Sequence, residues 1–507
     1  MQTAVSFVDP SAMLLASSPP SSPVRLSIDL LQLIFEMCTA EEEGLPYGPI
    51  FPVVASHVCH EWRVIALNTP TLWTCITLAD RPGSDFALSR ACIERSQRCS
   101  LTVNADFMGA SQDRIVCALG LIELAFDRVR RINARFETDA EAIALVIVAI
   151  QMCMPRLEHL HVERPTKVFT LLGNLPDTLP IPWSELSGGQ LPSLTSLVLI
   201  GVPADWNRWP MTNLVDLTIS CMPTDMRPSF AALAAIVRAS AHTLESLTIE
   251  AGAPITDPAS WTLGEVVALP RLRALKLGYM EAAESAIIKL FTFPALRSLQ
   301  LRNMRTGILV EPLRNMVPPN EMPILEQLCS RASAMPNVSA LTLIGVYFDS
   351  SHASAAQLLS SFPNVQSLAL SECCDALVEA LALPPRASPG QNPGALPPIV
   401  LPNLRSLVVC GMSITFPHVP LLRRFELARH RGLAPPVLKT VTMRNDFLKL
   451  TLFRRAAKAE LIKYAENVVL DSDRRGGRYP EDVLWYPLPQ AIPAVGVAQA
   501  MAIDVTA

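Results

Sequence analysis

The chain has 507 residues, half of them hydrophobic and 17% charged, with a net charge of −4. That length exceeds what a single conventional core organises, and the absence of any run of about 18 uninterrupted apolar residues gives no reason to expect a transmembrane span. Twelve scattered cysteines without a Cys-x-x-Cys pair argue against a disulfide scaffold or a zinc ribbon, and in favour of free thiols acting as small hydrophobes.

Residues 1–23, rich in Ser, Pro and Ala, read as a disordered leader. The segment Met13-Leu14-Leu15-Ala16 is too short, and lacks the upstream basic residue, for a signal peptide. Residues 24–73 read as a compact helical domain. Ser27 is a plausible N-cap and Asp29 sits in the first turn, where the helix dipole favours it. Leu30, Leu31, Ile34, Phe35 and Cys38 then fall on one helix face. A second helical element is expected from Val53 to Leu67, ending before Asn68-Thr69-Pro70. Residues 74–125 read as a linking or capping segment, with a strand at Ser100–Val103 and a helix around Arg114–Phe126. Thr138-Asp139-Ala140-Glu141 has the form of a capping box ahead of the apolar stretch Ala142 to Ile150, so a buried helix is expected there.

From about 126 to 450 one phrase recurs. Leu-x-x-Leu-x-Leu appears at Leu194/Leu197/Leu199, Leu272/Leu275/Leu277 and Leu296/Leu299/Leu301. Softer copies are Leu157/Leu160/Val162, Leu214/Leu217/Ile219, Leu244/Leu247/Ile249, Val338/Leu341/Leu343, Val365/Leu368/Leu370 and Leu404/Leu407/Val409. Val129/Ile132/Ala134 and Leu438/Val441/Met443 look like worn copies at either end. Pro155, Pro192, Pro270, Pro294, Pro336, Pro363 and Pro402 each stand two residues before the first apolar position. Such self-similarity is the mark of a leucine-rich-repeat solenoid, in which each unit adds a short strand to a parallel sheet. Helical segments are expected between strands at Ser229–Ser240, Ala282–Phe291, Ile324–Ala334, Ser354–Phe362 and Asp375–Leu383, giving an α/β class. The copies are spaced by 20 to 42 residues, so the solenoid is irregular, and long loops are expected at 164–190 and 384–400. Residues 451–507 read as a basic C-terminal cap followed by a flexible tail. The stretch 423–478 holds 14 Lys/Arg against 6 Asp/Glu.

The helical block carries a family resemblance. Leu26, Asp29, Leu30, Ile34 and Phe35, then Val58-Cys59-x-x-Trp62-Arg63, then Pro70-x-Leu72-Trp73 resemble an F-box. The phrase Ile93-Glu94-Arg95-Ser96 and the irregular repeats that follow are similar to the F-box proteins common in mushroom-forming fungi. Two features depart from the pattern: Ser27 stands where Pro is usual, and residues 39–52 separate the helices. The resemblance implies docking on a Skp-family adaptor and, through it, on a cullin of an SCF-type ubiquitin ligase. Leu26, Leu30, Ile34, Phe35, Val58 and Trp62 are the expected adaptor contacts. A block of about 50 residues cannot easily bury so many large apolar groups alone, which is compatible with a partner covering part of it.

No residue set points to catalysis. His57, Cys59 and His60 lie close together, but zinc wants four ligands and no second cluster is spaced to supply them. His159 and His161 alternate along a strand and share its outer face. Neither a phosphate-binding glycine loop nor a nucleophile elbow occurs, so no enzyme activity and no cofactor are expected. The outward strand positions are small and mixed in charge rather than a basic stripe, which argues against nucleic acid; Asp216, Glu250, Lys276, Gln300 and Arg302 form the best patch for a protein client. The expected function is recruitment of a protein client to the ligase, in the cytoplasm or nucleus and away from membrane. The second reading is a repeat scaffold whose F-box no longer binds adaptor.

Overall fold

In a parallel ladder each strand presents its alternate residues to one layer, so a phrase repeated in register becomes a continuous apolar seam. The computed structural model describes residues 26–41, 50–79, 86–138, 141, 142, 145, 154–164, 191–202, 206, 211–222, 226–252, 266–279, 282–304, 322–347, 352–382, 399–411, 418–430, 438–444 and 451–471. The leader, the tail after 479, and nearly all of the 164–190 and 384–400 loops lie outside them. The fold is α/β, with parallel strands alternating with helices, and the chain forms two compact units. The first comprises Met1–Val162 with Gly189–Ser193, the second Glu163–Gly188 with Leu194–Ala507.

The first unit opens with helices α1 (Ile28–Glu41), α2 (Phe51–Val58) and α3 (His60–Asn68), then a 3₁₀ turn over Pro70–Trp73. The Leu30 N–H donates to Ser27 Oγ at 3.3 Å, so Ser27 caps α1 as expected. The element expected from Val53 to Leu67 is two helices, because Cys59 is extended (φ −155°, ψ 172°). Its sulfur accepts the Trp62 N–H at 3.4 Å and starts α3 afresh. The Arg63 Nε–H donates to the Ser56 carbonyl at 2.8 Å and fastens the two helices together.

Strands β1 (Cys75–Ala79), β2 (Leu101–Asp106), β3 (Val129–Arg135) and β4 (His159–Glu163) follow, interleaved with helices α4 (Ala87–Arg95) and α5 (Gln112–Glu123). Ile76 lies opposite Val103, and Val103 opposite Ile132. The parallel ladder therefore already runs through the segment read as linking, 74–125. The capping box forms reciprocally: the Thr138 N–H reaches Glu141 Oε2 at 3.2 Å, and the Glu141 N–H reaches Thr138 Oγ1 at 3.4 Å. Ala142 and Leu145 beyond it are fully buried.

The second unit carries β5 (Ser196–Ile200), β6 (Asp216–Ser220), β7 (Ser246–Glu250), β8 (Val267–Ala268), β9 (Ala274–Tyr279), β10 (Phe291–Thr292), β11 (Ser298–Asn303), β12 (Ala340–Ile344), β13 (Ser367–Ser371), β14 (Ser406–Cys410), β15 (Leu438–Arg444) and β16 (Ala465–Asp471). The short β8 and β10 pair only with each other, and the rest are neighbours in chain order. Leu197, Leu217, Leu247, Leu275, Leu299, Leu341, Leu368, Leu407 and Val441 stand opposite one another from strand to strand. All are buried, each contributing about 1.5–3 kcal/mol against an exposed state. The last strand, β16, falls inside the region read as a basic cap.

Two devices outside the phrase hold the register. Asn337, Asn364 and Asn403, one residue after the recurring prolines of their repeats, donate their side-chain amides to the carbonyls of Pro294, Pro336 and Pro363 at 2.7, 2.8 and 3.1 Å. Each proline carbonyl is thus satisfied by the next repeat. At the opposite strand ends the chain turns through left-handed residues: Gly201, Cys221, Ala251, Gly345, Glu372 and Gly411. Their N–H groups extend the ladder, as when Cys221 donates to the Glu250 carbonyl at 2.8 Å. The left-handed region is easy for glycine and costs about 1 kcal/mol or more for the other three.

Helices return the chain between strands. Phe230–Ala239 is capped by Ser229, whose Oγ accepts the Ala232 N–H at 3.2 Å. The segment Ala282–Leu290 is a 3₁₀ helix, and Met322–Arg331, His352–Ser360 and Ala376–Glu379 are α-helical. On the helix His418–His430, Arg424 is almost fully buried and donates to the carbonyls of Leu381, Val400 and Leu401. Burial alone pulls its pKa down to about 10. Arg424 comes from the basic region, yet it ties three backbone carbonyls rather than facing a partner.

Candidate functional site

The first candidate site is the outer surface of the three N-terminal helices. Two of the expected α1 face residues, Leu31 and Phe35, point inward, and Phe35 is 0% exposed. Its ring meets Phe51 edge-on at 5.4 Å and Trp62 at 4.9 Å, making an aromatic core for the block. Phe35 is therefore not an available contact, a correction to its place among the adaptor residues; it is the largest apolar group on the inner face of a short helix and fills the gap between α2 and α3. Trp62 is half-buried against it. Leu30 (49% exposed), Ile34 (41%) and Val58 (57%) are open, as is Leu26. So are Ile28, Leu33, Met37, Val54, Val64 and Leu67, none of them singled out from sequence. The signal was present: α1 is apolar nearly all round, the pattern of a helix covered on more than one side.

Trp73, at the end of the block, is fully buried. Its indole N–H donates to the Ala66 carbonyl at 2.8 Å, and the Arg95 guanidinium lies 4.4 Å over its ring. Thr71 Oγ1 donates to Glu36 Oε1 at 2.8 Å and ties the turn back to α1.

The second candidate site is the outward strand face of the second unit. Register places Thr248, Lys276, Gln300 and Thr342 in one row, and Ser220, Glu250, Gly278, Arg302 and Ile344 in another. Four of the five expected client residues, Glu250, Lys276, Gln300 and Arg302, fall in these two rows, but not as an open patch, while Asp216 stands in a separate row opposite Ser246. Glu250 is 5% exposed and Gln300 is 7% exposed, so both leave the expected contact set. Neighbouring strands lie only about 4.8 Å apart, so side chains on one face cover one another. Glu250 in addition leans over Gly278: a Cβ there would sit 2.8–2.9 Å from its Cα, Cβ and Cγ. Burial pushes the Glu250 carboxyl pKa up, while Arg302 and then Lys276 pull it back. Cys221 borders the group, its thiol raised chiefly by burial. Asp216, Lys276 and Arg302 remain partly exposed.

No protein-family model and no curated protein matches the chain. The reading of its surfaces rests on their own chemistry.

The histidine and cysteine clusters take ordinary structural places. His57, Cys59 and His60 are exposed, and no group of three or more His, Cys, Asp or Glu is arranged to hold a metal among the described residues. Cys373 is buried, donates its thiol to the Leu343 carbonyl at 3.2 Å, and has its pKa raised to about 12 by burial. No helix among the described residues is long and apolar enough to cross a membrane.

His161 carries a pH consequence. Burial, then the Arg135 charge, lowers its pKa from 6.5 to about 4. The unfolded imidazole takes a proton near 6.5 while the folded one stays neutral, so stability is full above pH 6.5 and falls as pH drops towards 4. A loss of roughly 1–3 kcal/mol is expected across that window. Urea midpoints at pH 7 and 4.5 check it: His161→Gln should flatten the difference, and an unchanged slope rejects the assignment.

Proposed function

We propose that the chain is a substrate-recruiting subunit of an SCF-type ubiquitin ligase, an F-box protein with irregular leucine-rich repeats that performs no bond chemistry itself. The observation that carries this reading is the apolar outer surface of α1–α3, where Leu26, Leu30, Ile34 and Val58 stay open while Phe35 and Trp62 fill the core beneath. Such a surface favours a partner that supplies matching apolar groups, and a Skp-family adaptor has that chemistry. The strand ladder is suited to holding a protein client, which tethering brings to high local concentration near the transfer site.

Co-purification with a Skp-type adaptor tests the reading. Wild-type protein should retain adaptor, and Leu30→Asp with Ile34→Asp should weaken retention by at least about 30-fold, since two desolvated apolar anchors are lost. Val116→Asp, at an exposed apolar position on α5, should change nothing. Failure of wild-type protein to retain adaptor favours the scaffold reading instead.

A further inference from the structure

Before several strands of the second unit the chain passes through a Pro-x-Leu or Pro-x-Val turn, and at one place these turns form a basic groove. It encloses about 670 Å³ and is lined by Pro270, Arg271, Arg273, Pro294, Ala295, Arg297, Asn337 and Ser339. The backbone fixes the arrangement. The Arg297 N–H donates to the Arg273 carbonyl at 2.9 Å, and the Ser339 N–H to the Arg297 carbonyl at 2.9 Å. Arg273, Arg297 and Ser339, each one residue ahead of its strand, are thereby set abreast, about 4.8 Å from one to the next.

Two arginines side by side repel one another, and Arg271 adds a third positive charge to the same groove. Glu245 offsets part of this through a contact with Arg273 at 3.3 Å. Among the described residues Arg271 and Arg297 have no carboxylate partner. Carbonyl oxygens that would repel an anion are already engaged: Pro294 accepts from the Asn337 amide at 2.7 Å, and Arg297 accepts from Ser339 Oγ at 3.3 Å as well as from its N–H. The groove thus presents guanidinium donors, a proline floor without N–H groups, and few competing acceptors.

We propose that this groove binds an anion carrying two adjacent phosphate groups. Guanidinium forks match phosphate oxygens in geometry as well as charge. One phosphate is spanned by a single arginine pair, which leaves the third arginine and much of the volume for a second.

Isothermal titration of the full chain with inorganic pyrophosphate and with inorganic phosphate, at constant ionic strength, tests the proposal. Pyrophosphate should bind about tenfold tighter than phosphate. Arg273→Gln with Arg297→Gln should weaken pyrophosphate at least about tenfold, and Arg297→Lys, which keeps the charge but loses the fork, should weaken it measurably. Arg405→Gln is the control, because Arg405 lies in the same row of turns, exposed but outside the groove. Circular-dichroism melting verifies that the variants fold. Absence of binding, equal affinity for the two anions, or equal loss in Arg405→Gln overturns the proposal.

Discussion

Phe35→Ala is expected to destabilise the first unit by about 3–5 kcal/mol, the cost of emptying a buried aromatic site. The effect follows from place rather than size alone. Phe35 is fully buried, and its ring is the meeting point of Phe51 and Trp62, so its loss removes two edge-on ring contacts along with the area. Chemical denaturation followed by tryptophan fluorescence should show the change as a lower midpoint, because Trp62 reports directly on the cavity. Leu30→Ala, on the open side of the same helix, should shift the midpoint by no more than about 0.5 kcal/mol. If the two substitutions cost the same, the division of α1 into an inner and an outer face is wrong. The pair separates folding from binding, which an adaptor experiment alone does not.

Arg424→Met should cost the second unit about 2–4 kcal/mol. The cation serves the carbonyls of Leu381, Val400 and Leu401, and hydrogen bonds from a charged donor are the stronger kind. Two opposing effects set the size. Methionine spares the desolvation of a buried charge, which lowers the pKa of Arg424 to about 10, but it leaves three acceptors without that donor. The second effect dominates because the carbonyls belong to hydrogen-bonded backbone after the Ala376–Glu379 helix and ahead of β14, and cannot turn to water. Thermal melting measures it. Arg423→Met, the neighbouring and more exposed position, should leave the melting temperature nearly unchanged. An equal drop in both variants means that the basic helix acts through overall charge rather than through one clamp.

Much of the strand ladder was legible because its signal is physical. Apolar residues at i, i+3 and i+5 are the ones a strand entering from a turn must bury, and they stack in register from Leu197 to Val441. The ends were harder to read. Trp73, Ile76 and Leu78 follow the same spacing and are all buried; Ala465, Val468 and Leu470 follow it at the other end, with Ala465 and Leu470 buried and Val468 partly so. A tryptophan and an alanine in the first position disguised these copies. The left-handed turns at Cys221, Ala251 and Glu372 were invisible for a related reason, since tertiary packing holds residues there that local preference would reject. The candidate surfaces were half legible. Helical periodicity found the apolar richness of α1 but assigned Phe35 to the wrong side. Strand alternation found the row containing Glu250 and Gln300, but not that a glycine next to Glu250 lets its side chain fold flat and vanish from solvent.

The place of Trp73 has a mechanical consequence. It ends the helical block and is also the first buried residue of the ladder, bonded backwards to Ala66 and gripped by Arg95 from the helix after β1. A joint of this kind has no swivel. A load applied to α1–α3 is passed to β1 through a packed indole rather than a slack linker, so the block and its first strands should move as one stiff piece.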